Sequence, residues 1–277
     1  MLQLIQHNID YVVLIMEVAM IFEVVYIIGS GSICNYILKS FIKDCYKPIM
    51  LLYREHTMSM VGNFANRQNI ENYSFDSKKE ITDFLLRIKK LSLIISANNT
   101  YIFPRSIIEK QNLKIINFHN SLLPYHKGIN APTWSIYEMD KKTGITWHLV
   151  NDKIDNGDII IQKELDLDYT ETAIVLTKKL MHLGYVVFEE IKQKILKWNF
   201  QTIPMDSKKV YQMHYAKDIP NNGFYDNSWP FEKKSAFLRS LDWGCVKQFP
   251  KPILETTSGK HEIKSYKINN GIIELMF

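Results

Sequence analysis

Four short runs of β-prone apolar residues divide the first half of the chain, and a helical pattern follows each of the first three. The first run begins at Ile21, and the others occupy residues 47–53, 91–97 and 113–119. Residues that are apolar at successive positions, rather than at alternate ones, are typical of a strand buried on both faces. Strands that alternate with helices predict βαβ units and a mostly parallel sheet, which is an α/β architecture.

The helices between these runs carry their own start signals. Helical spacing covers residues 34–45, and Pro104 lies in the first turn of a short helix. Ser77 and Glu80 form a capping box ahead of apolar residues at helical spacing, so a helix is predicted to begin there. Residues 54–75 are predicted to be a polar loop.

The second half of the chain departs from this alternation. A helix with Pro132 in its first turn precedes two strands, at 144–150 and 158–167, whose short connecting loop predicts antiparallel pairing. Residues 170–196 then predict one long helix, capped by Thr170 and either continuous or slightly broken around Gly184.

These patterns divide the chain into three parts. Residues 20–200 form the main domain, and residues 201–277 form a small C-terminal α+β segment that ends in a hairpin. Asn270 and Gly271 predict a type I′ turn for that hairpin. Residues 1–19 are apolar but contain acidic interruptions, so they are expected to be an extension of unknown role rather than a signal peptide or a membrane span.

Charge and cysteine content restrict the partners of the protein. The net charge of +5 is spread along the chain without a block of like charges, so nucleic acid is not required as a partner. Cys34, Cys45 and Cys245 show neither CxxC spacing nor an even count, which favours a reducing compartment. We therefore expect a cytoplasmic protein with no membrane and no nucleic-acid partner.

Polar side chains collect where the predicted strands end. In an open α/β sheet, ligands bind at the carboxyl ends of the strands. Asn117 and His119 are two residues apart, so their side chains leave the same face of the fourth strand, and Phe118 is expected to be buried on the opposite face. A single histidine beside a turn is often structural, so this pair alone does not define a site.

The glycines after the first strand do not form a dinucleotide-binding fingerprint. The sequence GSGSIC lacks the third glycine, and no acidic residue closes the second strand where a ribose hydroxyl would bind. An NAD site is therefore not expected. A phosphate group at the helix start, from Gly31 to Ile33, stays open as an alternative.

Two segments together resemble the 10-formyltetrahydrofolate-dependent formyltransferases. They are NFHNSLLPYHKG, at 117–128, and HLVNDKIDNGDIIIQ, at 148–162, and the similarity extends from about Met20 to Leu196. The resemblance implies a Rossmann-like formyltransferase fold. It also implies that a catalytic trio is formed by Asn117, His119 and Asp155.

These residue types suit the transfer of a formyl group to an amine. A histidine can take or give the proton, and an asparagine amide can donate to the developing oxyanion. A carboxylate beside the histidine fixes its orientation and favours its protonated form. Asp155 can do this only if its loop folds back over His119, and Gly157 is expected to permit such a tight loop. The sequence leaves open whether His119 acts chiefly as a base or as an oxyanion partner.

The C-terminal segment helps to separate the acceptors that this family uses. Purine-pathway members end soon after the catalytic domain, and tRNA-modifying members carry an oligonucleotide-binding barrel of five strands. Residues 213–243 instead look like the segment that follows the catalytic domain in nucleotide-linked amino-sugar N-formyltransferases. The resemblance therefore implies a dTDP-linked 3- or 4-amino dideoxyhexose for lipopolysaccharide O-antigen or another surface glycan. Methionyl-tRNA formylation, or a non-catalytic nucleotide-sugar-binding protein of the same fold, is the alternative.

The same resemblance implies the remaining contacts. 10-Formyltetrahydrofolate is expected along residues 96–104 and near 152–155, although Asn98 and Asn99 have a turn role as their alternative. The apolar strand at the chain end predicts a homodimer. The folate-binding candidates are Ser96, Asn98, Asn99, Tyr101, Ile102 and Asp152, the acceptor-binding candidates are Gly128, Asn130, Trp134, Tyr225 and Trp229, and no metal is expected.

Overall fold

The computed structural model describes residues 20–54, 59–206, 212–269 and 271–277. The predictions for residues 1–19 and for Asn270 lie outside these ranges. The strands are β1 (Val24–Gly29), β2 (Ile49–Tyr53), β3 (Asn72–Phe75), β4 (Ser92–Ala97), β5 (Leu113–His119), β6 (Lys127–Gly128), β7 (Lys142–Leu149), β8 (Ile159–Asp166), β9 (Met213–His214), β10 (Phe224–Tyr225), β11 (Ile253–Thr256), β12 (Gly259–Glu262), β13 (Ser265–Asn269) and β14 (Ile272–Met276). The helices are α1 (Gly31–Lys43), α2 (Met60–Arg67), α3 (Lys78–Arg87), α4 (Arg105–Ile108), α5 (Ala131–Tyr137), α6 (Ala173–Leu196) and α7 (Phe231–Ser240).

A seven-stranded mixed sheet lies at the centre of the protein. Its strand order is β3-β2-β1-β4-β5-β7-β8. The first five of these strands are parallel, whereas β7 is antiparallel to β5 and β8 is antiparallel to β7. The predicted α/β fold with a mostly parallel mixed sheet is therefore confirmed, as is the antiparallel pair.

Hydrophobic clusters cover both faces of this sheet. On one face, α1 and α6 bury side chains such as Ile37 and Phe188. On the other face, α3 buries Ile81 and Leu85 against strands of the same sheet. Burial from both sides explains why the central strands are continuous apolar runs in the sequence.

Helix α3 begins at the predicted capping box. The backbone N–H of Glu80 donates to Oγ of Ser77 over 3.2 Å. The Glu80 carboxylate in turn accepts from the N–H of Asp76, one residue before the cap. The box thus satisfies two backbone donors at the helix start.

The prediction of a polar loop over residues 54–75 is wrong, because α2 and β3 lie within it. Ser59 caps α2 by accepting from the N–H of Gly62. In the edge strand β3, Phe75 is the only buried residue. With one buried position, β3 shows no alternating pattern, and α2 is only eight residues long, which is shorter than the window of about 11–18 residues over which a helical period is recognised.

Two details predicted for α6 also need correction. Its N-cap is Thr172 rather than Thr170, because the N–H and hydroxyl of Thr170 both donate to Asp168 in a turn before the helix. The helix is 24 residues long and runs through Gly184 without a break. Among the described residues, no helix has the length and apolar character needed to cross a bilayer.

The C-terminal region builds two small sheets beside α7. The three-stranded sheet β10-β11-β12 was not predicted, because its short strands expose most of their residues. Strands β13 and β14 form the predicted terminal hairpin, with Asn269 paired to Ile272. Pairing of β9 with β6 joins this region to the main domain, as does the hydrogen bond from the Thr133 hydroxyl to the carbonyl of Ser240.

Gly184 lies where α6 packs on β5, and we predict that alanine at this position destabilises the protein. A Cβ there would lie 2.1 Å from Cε2 of Phe118, and the Gly184 carbonyl accepts the indole N–H of Trp147. Alanine favours a helix over glycine by about 1 kcal/mol. This preference acts against the expected effect, so a net loss of stability must come from the packing clash. Such a clash typically costs about 1–3 kcal/mol.

Urea denaturation of Gly184→Ala should show this lower free energy of unfolding. Val186→Ala, at an exposed position of the same helix, is the matched control and should change it little. Unchanged or higher stability of Gly184→Ala would show that β5 does not require the close approach of α6.

Candidate active site

Strand β5 ends in two polar side chains on one face. Asn117 is half-buried at the rim, and His119 is 5% exposed. Phe118, between them, is buried on the opposite face against α6, as predicted. The two-residue period of the strand thus delivers the polar pair to the edge where the parallel strands end.

The loop between β7 and β8 folds back over His119. Oδ2 of Asp155 lies 3.6 Å from Nδ1 of His119, and the Asp155 side chain is 10% exposed. A Cβ at Gly157 would lie 1.7 Å from the carbonyl oxygen of Leu149, so the tight loop requires glycine there. The predicted meeting of Asp155 with His119 is therefore confirmed as geometry.

The backbone of β6 holds the Asp155 carboxylate in place. The N–H of Gly128 donates to Oδ2 of Asp155 over 2.8 Å. Gly128 has a φ of 92°, and a Cβ there would lie 2.1 Å from the carbonyl oxygen of His214 on β9. Gly128 is predicted to contact the acceptor substrate, and its backbone N–H positions the carboxylate of Asp155.

The hydrogen bonds of His119 indicate which of its nitrogens can take a proton. Nε2 lies 2.9 Å from the carbonyl oxygen of His126. A carbonyl only accepts, so Nε2 carries hydrogen and the neutral ring presents the lone pair of Nδ1 towards Asp155. A separation of 3.6 Å is longer than a hydrogen bond, but such contacts commonly shorten when substrate binds.

The side-chain amide of Asn117 is held at both ends. Its Oδ1 accepts from the hydroxyl of Ser96 over 2.7 Å, and its Nδ2 lies 3.1 Å from Nε2 of His148. Burial lowers the pKa of His148 to about 4, so this ring is neutral near pH 7. In the sequence, His148 stands out only as part of the segment 148–162 that carries the resemblance. The pairing of β5 with β7 places it opposite Asn117.

A second pair of buried histidines lies behind His119. Nε2 of His126 lies 2.7 Å from Oδ2 of Asp140, and Nδ1 of His126 lies 3.4 Å from Nε2 of His214. Burial, with His126 close by, lowers the pKa of His214 to about 4. No sequence pattern pointed to His214, which lies 88 residues beyond His126 in the chain.

In the described part of the chain, the same two histidines and Glu138 form a group of side chains close enough together to hold a metal ion. Ligand atoms of His126, Glu138 and His214 lie within 4.8 Å of one another. The contacts with Asp140 and between the rings already provide both His126 nitrogens with hydrogen-bond partners. The expectation that the protein uses no metal stays a prediction.

The loop after β4 is shaped by its two asparagines. Nδ2 of Asn98 donates to Oγ of Ser30 over 3.0 Å, which joins this loop to the one after β1. The Asn99 side chain accepts from the N–H of Tyr101 and donates to its carbonyl, and the Tyr101 hydroxyl bonds to Thr82. The Tyr101 ring is buried and its backbone polar groups are bonded to Asn99, so its contact with folate stays a prediction.

The other two folate-binding candidates are exposed. Ile102 lies on the surface beside α4, and Asp152 lies on the loop that carries Asp155. The ion pair with Glu109 raises the pKa of Arg105 at the start of α4, and the charge of Asp152 adds to this effect. Asp152 is therefore near enough to the start of α4 for its charge to act on Arg105.

Two of the aromatic acceptor candidates, Trp134 and Tyr225, pack against other rings of the protein, and their contact with an acceptor stays a prediction. Trp134 is buried and stacks on His214, with ring centroids 4.1 Å apart. Tyr225 is buried against Phe237, and Trp229 is half-buried against the same ring. The sequence could not reveal that the rings of Trp134 and Tyr225 are buried.

The exposed rings near the site lie elsewhere. Tyr125 and Tyr215 are each more than half exposed. Tyr125 directly precedes His126 in the chain, and Tyr215 directly follows His214. Asn130 adopts a φ of 59° at the N-cap of α5, and its Oδ1 accepts from Nε2 of Gln248 in the C-terminal region. The loop from β6 to α5 thus contacts the C-terminal region at both of its ends.

We predict that His148 and His214 stay neutral at pH values at which an ordinary histidine becomes charged. Burial is the largest cause of both lowered pKa values. Below about pH 6.5 the histidines of the unfolded chain bind protons, whereas these two buried rings stay unprotonated. The free energy of unfolding should therefore fall as the pH is lowered from about 6.5 to 4.

A pH titration of ¹⁵N-labelled histidine side chains checks this expectation. The signals of these two rings should not change above about pH 5.5. A midpoint near pH 6.5 for either ring would contradict its burial.

Comparison with known proteins indicates the family to which this arrangement of side chains belongs. The profile of the family described as formyl transferase matches residues 52–191, just over half of the chain. Methionyl-tRNA formyltransferase of Clostridioides difficile (strain 630) is 30% identical over 188 residues, which cover 62% of this chain and 60% of that protein. GDP-perosamine N-formyltransferase of Brucella melitensis is 25% identical over 181 residues, covering 65% of this chain and 67% of that protein.

A solved structure extends the similarity into the C-terminal region. The N-formyltransferase from Helicobacter canadensis, in complex with folinic acid and dTDP-3-aminofucose, matches with a TM-score of 0.65 at 16% identity, covering 91% of this chain and 94% of that one. Identity this low shows a shared fold. Because the family match spans just over half of the chain and includes the strand that carries Asn117 and His119 and the loop that carries Asp155, the protein belongs to the formyl transferase family.

Proposed function

We propose that the protein transfers the formyl group of 10-formyltetrahydrofolate to the amine of a nucleotide-linked amino sugar in the cytoplasm. The observation that carries this proposal is the meeting of an amide donor, a histidine and a carboxylate at one point of the sheet edge. These groups belong to Asn117, His119 and Asp155. Membership of the formyl transferase family supports the reaction type.

The three side chains divide the chemistry between them. Nδ1 of His119 takes the proton of the attacking amine and returns it to the departing folate nitrogen, as one C–N bond forms and the other breaks. Asp155 stabilises the imidazolium while it exists. The second N–H of the Asn117 amide donates to the oxyanion on the former formyl oxygen, and such a donor is worth about 2.7–4 kcal/mol.

Formyl folate is proposed to lie between the loops after β4 and β7. The first loop reaches the trio through Ser96, whose hydroxyl donates to Asn117. The second carries both Asp152 and Asp155. The Helicobacter complex with folinic acid supports a co-substrate of this class.

The C-terminal region favours an amino sugar as the acceptor. In the described part of residues 201–277, the last five strands form a three-stranded sheet and a separate hairpin, whereas an oligonucleotide-binding barrel joins five strands in one sheet. Pairing of β9 with β6 brings this region beside Gly128 in the site. We therefore assign formyl transfer to residues 20–200 and acceptor binding to residues 201–277.

The relatives support the same class of acceptor. One is named for GDP-perosamine, and another was solved with dTDP-3-aminofucose. For this protein we propose a dTDP-linked 3- or 4-amino dideoxyhexose destined for lipopolysaccharide O-antigen or another surface glycan. The 30% identity to a methionyl-tRNA formyltransferase keeps initiator tRNA as the second candidate.

Formylation assays separate these acceptors. The protein and formyl folate should add one formyl group to members of a panel of dTDP- and GDP-linked 3- and 4-amino sugars, as detected by mass spectrometry. Initiator methionyl-tRNA should remain unmodified in the same assay. Formylation of the tRNA alone would contradict the proposed acceptor.

Substitution of the trio tests the assigned chemistry. His119→Ala and Asp155→Ala should each abolish formyl transfer while nucleotide binding stays within a few fold, because neither side chain belongs to residues 201–277, to which acceptor binding is assigned. The exposed residues His182 and Asp166 provide matched controls, and their alanine variants should turn over normally. Near-normal turnover of either trio variant would show that the roles are wrongly assigned.

A homodimer formed through the terminal hairpin is also proposed. Strand β14 exposes Ile272 and Met276 on one face, while its other face packs towards α7 through Leu275. Sedimentation velocity should show a dimer that Ile272→Asp converts to a monomer. Glu274→Gln, on the same exposed face, should remain dimeric. A monomeric unmodified protein would refute the dimer.

A further inference from the structure

We propose that His148 is a positioning residue for formyl transfer: its Nε2 accepts one N–H of the Asn117 amide and thereby aims the other N–H at the reacting formyl oxygen. This inference rests on the proposed function for its chemical consequence. The arrangement itself can be tested without turnover, because it requires one particular tautomer of His148.

The surroundings of His148 select that tautomer. Its Nδ1 lies 2.7 Å from the carbonyl oxygen of Leu149. Because a carbonyl only accepts, Nδ1 carries the hydrogen of the neutral ring. Nε2 therefore has a lone pair, and it lies 3.1 Å from Nδ2 of Asn117.

The other end of the Asn117 amide is fixed independently. The hydroxyl of Ser96 donates to Oδ1 over 2.7 Å, and Oγ of Ser96 in turn accepts from Nδ2 of Asn99 over 3.3 Å. If the amide turned over, its oxygen would face the lone pair of His148. Only one orientation of the Asn117 amide therefore satisfies the hydrogen bonds to Ser96 and to His148 together. In that orientation the second Nδ2 hydrogen projects away from His148.

The charged groups around His148 keep it in the accepting state. Burial lowers its pKa to about 4, Asp155 opposes this shift, and His119 and Lys127 add to it. Oδ1 of Asp155 lies 3.7 Å from Nε2, on the side to which a protonated ring would donate. Protonation would replace the lone pair with a donor facing the NH₂ of Asn117, so it would remove the interaction that orients the amide.

Loss of this orientation should affect catalysis more than binding. An oxyanion donor acts mainly in the transition state, and removing one typically lowers kcat by about 10²- to 10³-fold. A residue that only supported the fold would instead change stability and binding together. The ratio of effects on kcat and KM therefore distinguishes positioning from a purely structural role.

Two substitutions at the same position provide the comparison. Glutamine can place its amide oxygen near the position of Nε2, whereas the shorter asparagine places its amide near Nδ1 and cannot reach Asn117. We expect His148→Asn to lower kcat about 10²-fold with little change in the KM for formyl folate. His148→Gln should recover kcat to within about tenfold of the unmodified enzyme. His182→Asn, at an exposed position of α6, controls for the substitution itself.

A spectroscopic measurement tests the tautomer directly. Long-range ¹H–¹⁵N correlation of labelled histidine, assigned by the signal lost in His148→Gln, should show the Nδ1-protonated neutral form. An Nε2-protonated ring, a kcat of His148→Asn equal to that of the unmodified enzyme, or equal losses in both variants with KM raised would overturn the inference. If the unmodified protein transfers no formyl group at all, the proposed function fails, and the tautomer still decides whether His148 orients Asn117.

Discussion

The arrangement of the site depends on the hydrogen bond from the backbone of Gly128 to the carboxylate of Asp155. This contact, over 2.8 Å, is what holds a carboxylate from the loop after β7 against the face on which His119 lies. Charge-assisted hydrogen bonds of this kind are shorter and stronger than neutral ones. Because β6 is itself paired with β9, the position of the carboxylate also depends on the C-terminal region. Three distant parts of the chain must therefore fold together before the trio exists.

Burial gives the site a fixed pattern of donors and acceptors. His148 and His214 remain neutral because the interior disfavours their charged forms. Both nitrogens of His148 have defined partners, so this neutral ring acts as a fixed donor and acceptor and can orient the Asn117 amide. A buried network of this kind is rigid only when its members are satisfied, and this condition links the packing of the sheet to the chemistry at its edge.

Much of this organisation was predictable from the sequence, for reasons that can be stated. Strands covered on both faces produce the apolar runs that reveal the parallel sheet, and the two-residue period puts Asn117 and His119 on one face. The position of Asp155 followed from a resemblance, not from periodicity, because no local pattern specifies how a loop folds back. Elements with few buried residues, such as β3, leave no such signal.

The remaining differences arise from contacts distant in sequence. Nothing local distinguishes Thr172 from Thr170 as the cap of α6, since the choice depends on the turn that Asp168 forms. An aromatic residue looks the same in sequence whether its ring is open to a ligand or buried, as that of Tyr225 in β10 is. His214 lies near the site only because β9 pairs with β6, and no sequence pattern predicts that pairing.

The arrangement of the trio around one reacting carbon is tested most directly by a crystal structure with a stable formyl-folate analogue. The formyl oxygen should lie about 2.7–3.1 Å from Nδ2 of Asn117. Its carbon should face Nδ1 of His119, with Asp155 still held by the backbone of Gly128. An analogue bound away from this sheet edge, or bound there with its formyl group turned from both side chains, would contradict the proposed role of the site.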